Sequence, residues 1–286
     1  MNDSSAAWHE SPPVFLNHFY MVLDSATYKA IEQDEFLREQ FAVNEHRTTV
    51  REDQTYTGLY FYGTNTYFEF FDVANSPRPE IGDSGVAFGV DRPGAVEDLK
   101  KACGPEFATG IKVISRAFQE QQVPWFYMAT PRSLPYESGL SSWVMEYHPD
   151  FLRKWHPNPN RSNMGIRRRD ILKRYSEVLE PVNEPALEDV ISLTVAADQA
   201  TADRFSHFCV QLGFSEKAEG GTVALHGTDF LLHLLPVTEH AHGVREVKMR
   251  LRNLPLSETE RRIGDSILKL SGGIAIWSFH GSFAKL

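Results

Sequence analysis

Hydrophobic and polar positions alternate along this chain with a period of two, then with a helical period, and the switch recurs in order. Residues 14–23 read as a core strand, and Asp24-Ser25 then offers a helix N-cap. Tyr28, Ile31, Phe36 and Leu37 mark the apolar face of a helix to about Phe41. Strands follow at 48–51, 58–63 and 66–73, so the first unit is strand, helix, strand, strand, strand.

The pattern returns. A strand at 85–91 leads to Pro93, which pre-sets a helix to about Cys103, and strands at 112–117, 123–129 and 142–148 complete a second unit. A third begins with 190–196. Its helix buries Ala202, Phe205, Phe208, Cys209 and Leu212 and ends at Gly213, before strands at 214–218, 222–226 and 230–237. A shortened fourth unit has a strand at 244–252, a brief helix near 257–263, and strands at 267–270 and 274–279. The fold expected is α+β, with repeated βαβββ modules forming two cupped mixed β-sheets.

The division expected is an N-terminal module pair at 14–155, a linker and helix at 156–186, and a degenerate C-terminal pair at 187–286. Pro and Asn crowd the stretch 155–161, a helix is predicted over 168–179, and Pro181 and Pro185 punctuate the entry to the second half.

Three strands of the first half each carry an ionisable residue inside a core-like run: His18, Glu69 and Glu146. Burying such groups is costly unless they are hydrogen-bonded, paired or bound to a metal. Alternation puts His18 with Tyr20 and Val22, Glu69 with Tyr67 and Phe71, and Glu146 with Val144 and His148. If those faces point into one cup, one histidine and two carboxylates suit a divalent first-row metal with an open position. Each also has a plain reading: a hydrogen-bonded core histidine, a partner for Arg47 or Arg51, and an ion pair with a linker arginine. Aromatic residues are dense here, and Tyr20, Tyr67, Trp125 and Tyr127 are the expected substrate contacts, selecting a flat or apolar small molecule.

The repeated unit, the segment Asp198–Phe214 and the placing of His18, Glu69 and Glu146 together resemble the vicinal oxygen chelate superfamily, in an uncharacterised bacterial branch. That superfamily includes glyoxalase I, bleomycin-binding proteins and extradiol dioxygenases. The resemblance implies a metal held by His18, Glu69 and Glu146, with Glu69 or Glu146 free to act as a base. It also places Gly85, which has no side chain to coordinate, where relatives carry a further ligand. His46 or His148 is the substitute to consider; His226, His233, His240 and His242 lack matching carboxylates.

Composition narrows the rest. The 286 residues carry a net charge of −9, which argues against nucleic acid as partner. Against that trend, Arg153, Lys154, Arg161, Arg167, Arg168, Arg169, Lys173 and Arg174 form a basic stretch, either a solvated helix face or a site for an anion. Two cysteines, Cys103 and Cys209, are too few for a disulfide framework. No stretch has the ~18 apolar residues that cross a bilayer, and the first residues lack a signal-peptide pattern, so no membrane partner and a cytoplasmic setting are expected.

The function expected is a metal-dependent enzyme of the vicinal oxygen chelate type acting on a small organic molecule, with lyase or isomerase chemistry favoured over dioxygenase chemistry. The metal would be zinc, manganese, iron, cobalt or nickel. The alternatives are a metal-free protein that sequesters a small molecule, and a structural relative whose second half docks a partner; a homodimer stays open.

Overall fold

The computed structural model describes residues 11–279, apart from 77, 79, 105–106, 119, 135–138, 156–165, 237–241 and 253–257. The expected linker at 156–161 and His240 lie outside the described residues. Among the described residues sixteen strands form two eight-stranded mixed sheets of matching order, β2-β3-β4-β1-β5-β8-β7-β6 and β10-β11-β12-β9-β13-β16-β15-β14. The fold is α+β, as the alternation predicts.

In the first sheet, β1 (Phe15–Leu23) leads into α1 (Ser25–Gln33), whose first turn is capped by the Asp24 carboxylate accepting from the amides of Ala26 and Thr27. The helix expected to reach Phe41 stops sooner. A π-helical turn at Leu37–Phe41 carries the chain into β2 (Val43–Val50), followed by β3 (Thr55–Tyr62) and β4 (Tyr67–Asp72). The second module comprises β5 (Ser84–Gly89), α2 (Ala95–Cys103), β6 (Ala108–Phe118), β7 (Gln121–Pro131) and β8 (Leu140–Tyr147). Parallel pairs β1–β4 and β5–β8 meet through antiparallel β1–β5, and the edge strands β2 and β6 approach one another to curl the sheet.

A short helix α3 (Pro149–Trp155) and then α4 (Arg168–Val178) precede the second sheet. That sheet contains β9 (Leu187–Ala197), α5 (Gln199–Gln211), β10 (Ser215–Glu219), β11 (Thr222–His226) and β12 (Leu231–Pro236), then β13 (Gly243–Leu251), β14 (Thr259–Ile263), β15 (Ser266–Ser271) and β16 (Ile274–Phe279).

The fourth module corrects the sequence reading: residues 259–263, expected within a helix, are strand β14, paired with β15 across a turn at Gly264. The change has a topological consequence. A parallel neighbour needs a long crossover, usually a helix. Only 252–258 joins β13 to β14, so the chain reverses at once, and β16 lies antiparallel to β13 where β8 lies parallel to β5.

One hydrophobic core joins the two sheets. Phe61, Phe68 and Phe70 of the first pack edge-on against Trp277 of the second, and Phe88 meets Phe205 and Phe208 of α5. Polar bonds fix the register at the seam. Asp189 accepts from the backbone amides of Asn65 and Thr66, and the Val190 amide donates to Thr66 Oγ1. Helix α4 returns to the open face of the first sheet, where Ile171, Leu172 and Tyr175 fill part of the cup beside Tyr62, Tyr67 and Tyr147. No described helix is long and apolar enough to cross a membrane.

Candidate functional site

The part of the cup that α4 leaves open is a cavity of about 440 Å³. Register explains its lining. In β1 and β4, His18 stands opposite Tyr67 and Tyr20 opposite Glu69, and Tyr60 of β3 also pairs with Glu69, so these residues share the concave face. His18, Tyr20, Tyr67, Glu69, Phe71, Trp125, Phe126 and Trp143 all border the cavity.

The His18 ring stacks on Tyr67 at 4.4 Å and meets the edge of Trp143 at 5.4 Å. A register shift between Leu16 and His18 brings the Asn17 side chain alongside, and Asn17 Oδ1 lies 2.8 Å from His18 Nδ1. An amide oxygen only accepts, so Nδ1 carries the proton and Nε2 presents its lone pair. That nitrogen lies 3.8 Å from Glu69 Oε1. Burial, reinforced by the Arg47 guanidinium, lowers the His18 pKa to about 3, so the ring is neutral. Burial raises Glu69 to about 7, with Arg47 and the Tyr67 hydroxyl acting in the opposite direction. The result is a carboxyl group poised near neutrality beside a neutral imidazole with a fixed tautomer.

Around this dyad the charged groups are largely matched. Arg51 pairs with Asp53 at 2.8 Å and Arg78 with Asp83 at 3.3 Å, both arginines bordering the cavity. Tyr20 donates to Ser141 Oγ at 3.3 Å.

Glu146 is not in the cup. Its Oε1 accepts from the Gly94 amide at 2.8 Å and its Oε2 from the Val96 amide at 3.1 Å, so it caps the N-terminus of α2 on the far face of β8. The inward residues of that strand are Ser141, Trp143, Met145 and Tyr147, one position out of step with the expected set. Tyr127 pairs with Glu146 across the β7–β8 ladder and borders a different cavity with it. The expected set His18, Glu69, Glu146 is therefore divided, and Tyr127 is separated from Tyr20, Tyr67 and Trp125.

The substitute histidines do not restore the set. His148 Nδ1 accepts from the Asp150 amide at the start of α3, and His46 faces Glu32 at 3.3 Å on the surface. Among the described residues the cup thus offers a metal two protein ligands, His18 and Glu69, and does not fit the three-ligand site expected. Elsewhere, ligand atoms of Glu80, Asp83 and His242 lie within 4.8 Å of one another, though Asp83 is already paired with Arg78 and, at 3.0 Å, with His242.

Sequence reasoning did not single out Tyr56, Phe126 and Arg51 as lining residues, and Trp143 was not among the expected contacts. Trp143 was within reach: it sits at the inward parity of β8, two residues from Ser141 and from Met145.

The chain belongs to a family of unknown function (DUF5829), whose model matches residues 16–279. No curated protein matches it. Among solved structures it is similar to a hypothetical protein from Staphylococcus aureus, with a TM-score of 0.53 at 10% identity over 90% of this chain and 98% of that one. A xylose isomerase-like TIM barrel/4-hydroxyphenylpyruvate dioxygenase fusion protein gives 0.44 at 9% identity, over 85% of this chain and 38% of that one. An extradiol ring-cleaving dioxygenase from B. fuscum gives 0.39 at 10% identity, over 84% of this chain and 56% of that one. At 10% identity the likeness to the Staphylococcus aureus protein extends to the fold alone.

Proposed function

We propose that the protein takes a small, flat organic molecule into the cup of the first sheet and catalyses a proton transfer on it, as an isomerase or lyase. The observation that carries this reading is the His18–Glu69 dyad, 3.8 Å apart at the wall of a cavity of about 440 Å³. A base works best when its pKa lies near the operating pH, and burial brings Glu69 to about 7. Glu69 removes the proton from an acidic C–H or O–H of the ligand. His18, neutral and anchored through Nδ1 to Asn17, accepts a hydrogen bond from the protonated carboxyl at Nε2 and holds it in place. Tyr20, Tyr67 and Trp125 supply the apolar walls that orient a planar ligand and exclude water.

A second reading keeps the divalent metal, held by His18 Nε2 and Glu69 with the remaining positions left to water or ligand. One observation favours it: a histidine whose far nitrogen is fixed by a hydrogen bond is the usual form of a metal-ligating imidazole.

The test is hydrogen–deuterium exchange in D₂O, followed by proton NMR, on chelator-treated protein. The probes are acetophenone, phenylacetone and phenylacetaldehyde, which are flat and carry an exchangeable proton. Exchange of at least one above the buffer rate, falling by about 10²–10⁴-fold in Glu69→Gln, is the expected result. Exchange that needs added zinc, manganese, iron, cobalt or nickel supports the second reading. Binding without exchange makes the cup a sequestering site. No binding by any probe, or exchange unchanged in Glu69→Gln, overturns the proposal.

A further inference from the structure

A second cavity, of about 510 Å³, lies at the seam between the two sheets and outside the cup. Its floor is apolar, including Val43 and Leu187, and its rim carries Arg169, Lys173 and Arg252. The basic stretch of the sequence is thus not spread evenly over a solvated helix. Arg169 and Lys173 stand one turn apart on α4 and face the same opening as Arg252, the residue that follows β13.

The charge balance there is one-sided. The single carboxylate of the lining, Asp170, is taken by Arg167 at 3.3 Å, and Arg169 and Lys173 have no carboxylate partner among the described residues. Like charges at this helical spacing repel one another. They do so here in a chain whose net charge is −9, where carboxylates to pair with are plentiful. Arg252 is also set in place beforehand: its amide donates to the Ala186 carbonyl at 2.7 Å and its guanidinium donates to Thr64 Oγ1. Thr64 adds a hydroxyl to the same lining, while the Ser176 hydroxyl donates to the Leu172 carbonyl at 2.9 Å. A guanidinium held in place, two further cations and the Thr64 hydroxyl around an apolar floor suit a compact oxyanion.

We propose that this seam cleft binds a small polyanion, a molecule with phosphate or carboxylate groups, through Arg169, Lys173 and Arg252. The site is independent of the chemistry assigned to the cup.

Titration calorimetry on the full chain at low ionic strength tests this, with pyrophosphate and citrate as probes and sodium chloride at matched ionic strength as the blank. Saturable binding of either probe, weakened about tenfold or more in Arg169→Ala/Lys173→Ala, supports the site, and the tighter of the two tells phosphate from carboxylate recognition. Both side chains are exposed, so the double variant keeps its fold, checked by an unchanged melting temperature without ligand. Arg204→Ala, on the exposed face of α5, is the control and should bind as the wild type does. No saturable binding, equal binding in the double variant, or an equal loss in Arg204→Ala overturns the proposal.

Discussion

The ring of Tyr20 occupies the space that a side chain on Gly85 would need: a Cβ built on Gly85 would stand 2.1 Å from Tyr20 Cε1. The two residues are cross-strand partners in β1 and β5. Gly85 therefore leaves no open notch in the cup wall, and the position where a further metal ligand was sought is filled by an aromatic ring from the neighbouring strand. Gly85→Ala should cost about 1–3 kcal/mol through overpacking. In a Tyr20→Ala background the added cost should fall close to zero, because the two sites share one volume. Chemical denaturation of the four proteins of this cycle measures the coupling, and additive costs would show that Gly85 serves something other than Tyr20.

Glu146 belongs to the helix cap and not to the cup. Glu146→Ala removes both acceptors for the Gly94 and Val96 amides and should lower stability by about 1–2 kcal/mol. Ligand binding in the cup and metal content should stay as in the wild type. Loss of either in a folded Glu146→Ala protein would return this carboxylate to the site.

The seam between the sheets depends on Asp189, whose carboxylate takes the amides of Asn65 and Thr66 and the Asn65 side chain. Asp189→Ala leaves those donors shielded and unpaired, at a cost of about 2–4 kcal/mol. A thermal melt should show one cooler cooperative transition if the sheets share their core, whereas two separate transitions would mean that they unfold independently.

Protonation of the dyad sets a distinctive dependence of stability on pH. Glu69 is raised from 4.5 to about 7, so between those values the folded state holds more protons and stability falls as pH rises. His18 is lowered from 6.5 to about 3, so between those values the unfolded state holds more protons and stability rises with pH. From pH 4.5 to 6.5 the two slopes oppose and cancel. The contribution of this pair in the wild type should be nearly flat there. Glu69→Gln should become more stable as pH rises through that window, and His18→Asn less stable. Melting temperatures of the three proteins at pH 4.5, 5.5 and 6.5 check the signs.

Much of this was legible in the sequence because burial writes itself into strand alternation. His18 and Glu69 sit in runs so apolar that only an inward position explains them, and β1 and β4 pair in register to bring them together. Glu146 sits in an equally apolar run, but β8 is buried on both faces, so its sequence does not say which face is the cup. The outer face offers the amides of α2, and a helix N-terminus meets a carboxylate's needs as well as a metal would. The helix expected near 257–263 failed for a related reason. Thr259-Glu260-Arg261-Arg262-Ile263 is too short and polar to show a period, and its pairing with β15 is set by the tertiary structure. The filling of the cup by α4 was invisible, since nothing local says where a helix after a linker docks.

The most direct test of the proposed base is a carbon-13 NMR titration of the Glu69 side-chain carboxyl in metal-free protein, assigned by its disappearance in Glu69→Gln. A midpoint near 7 is expected, where Glu69 can both take and return a proton at neutral pH. A midpoint near 4.5 would leave an ordinary carboxylate beside His18 and contradict the assignment of Glu69 as the base.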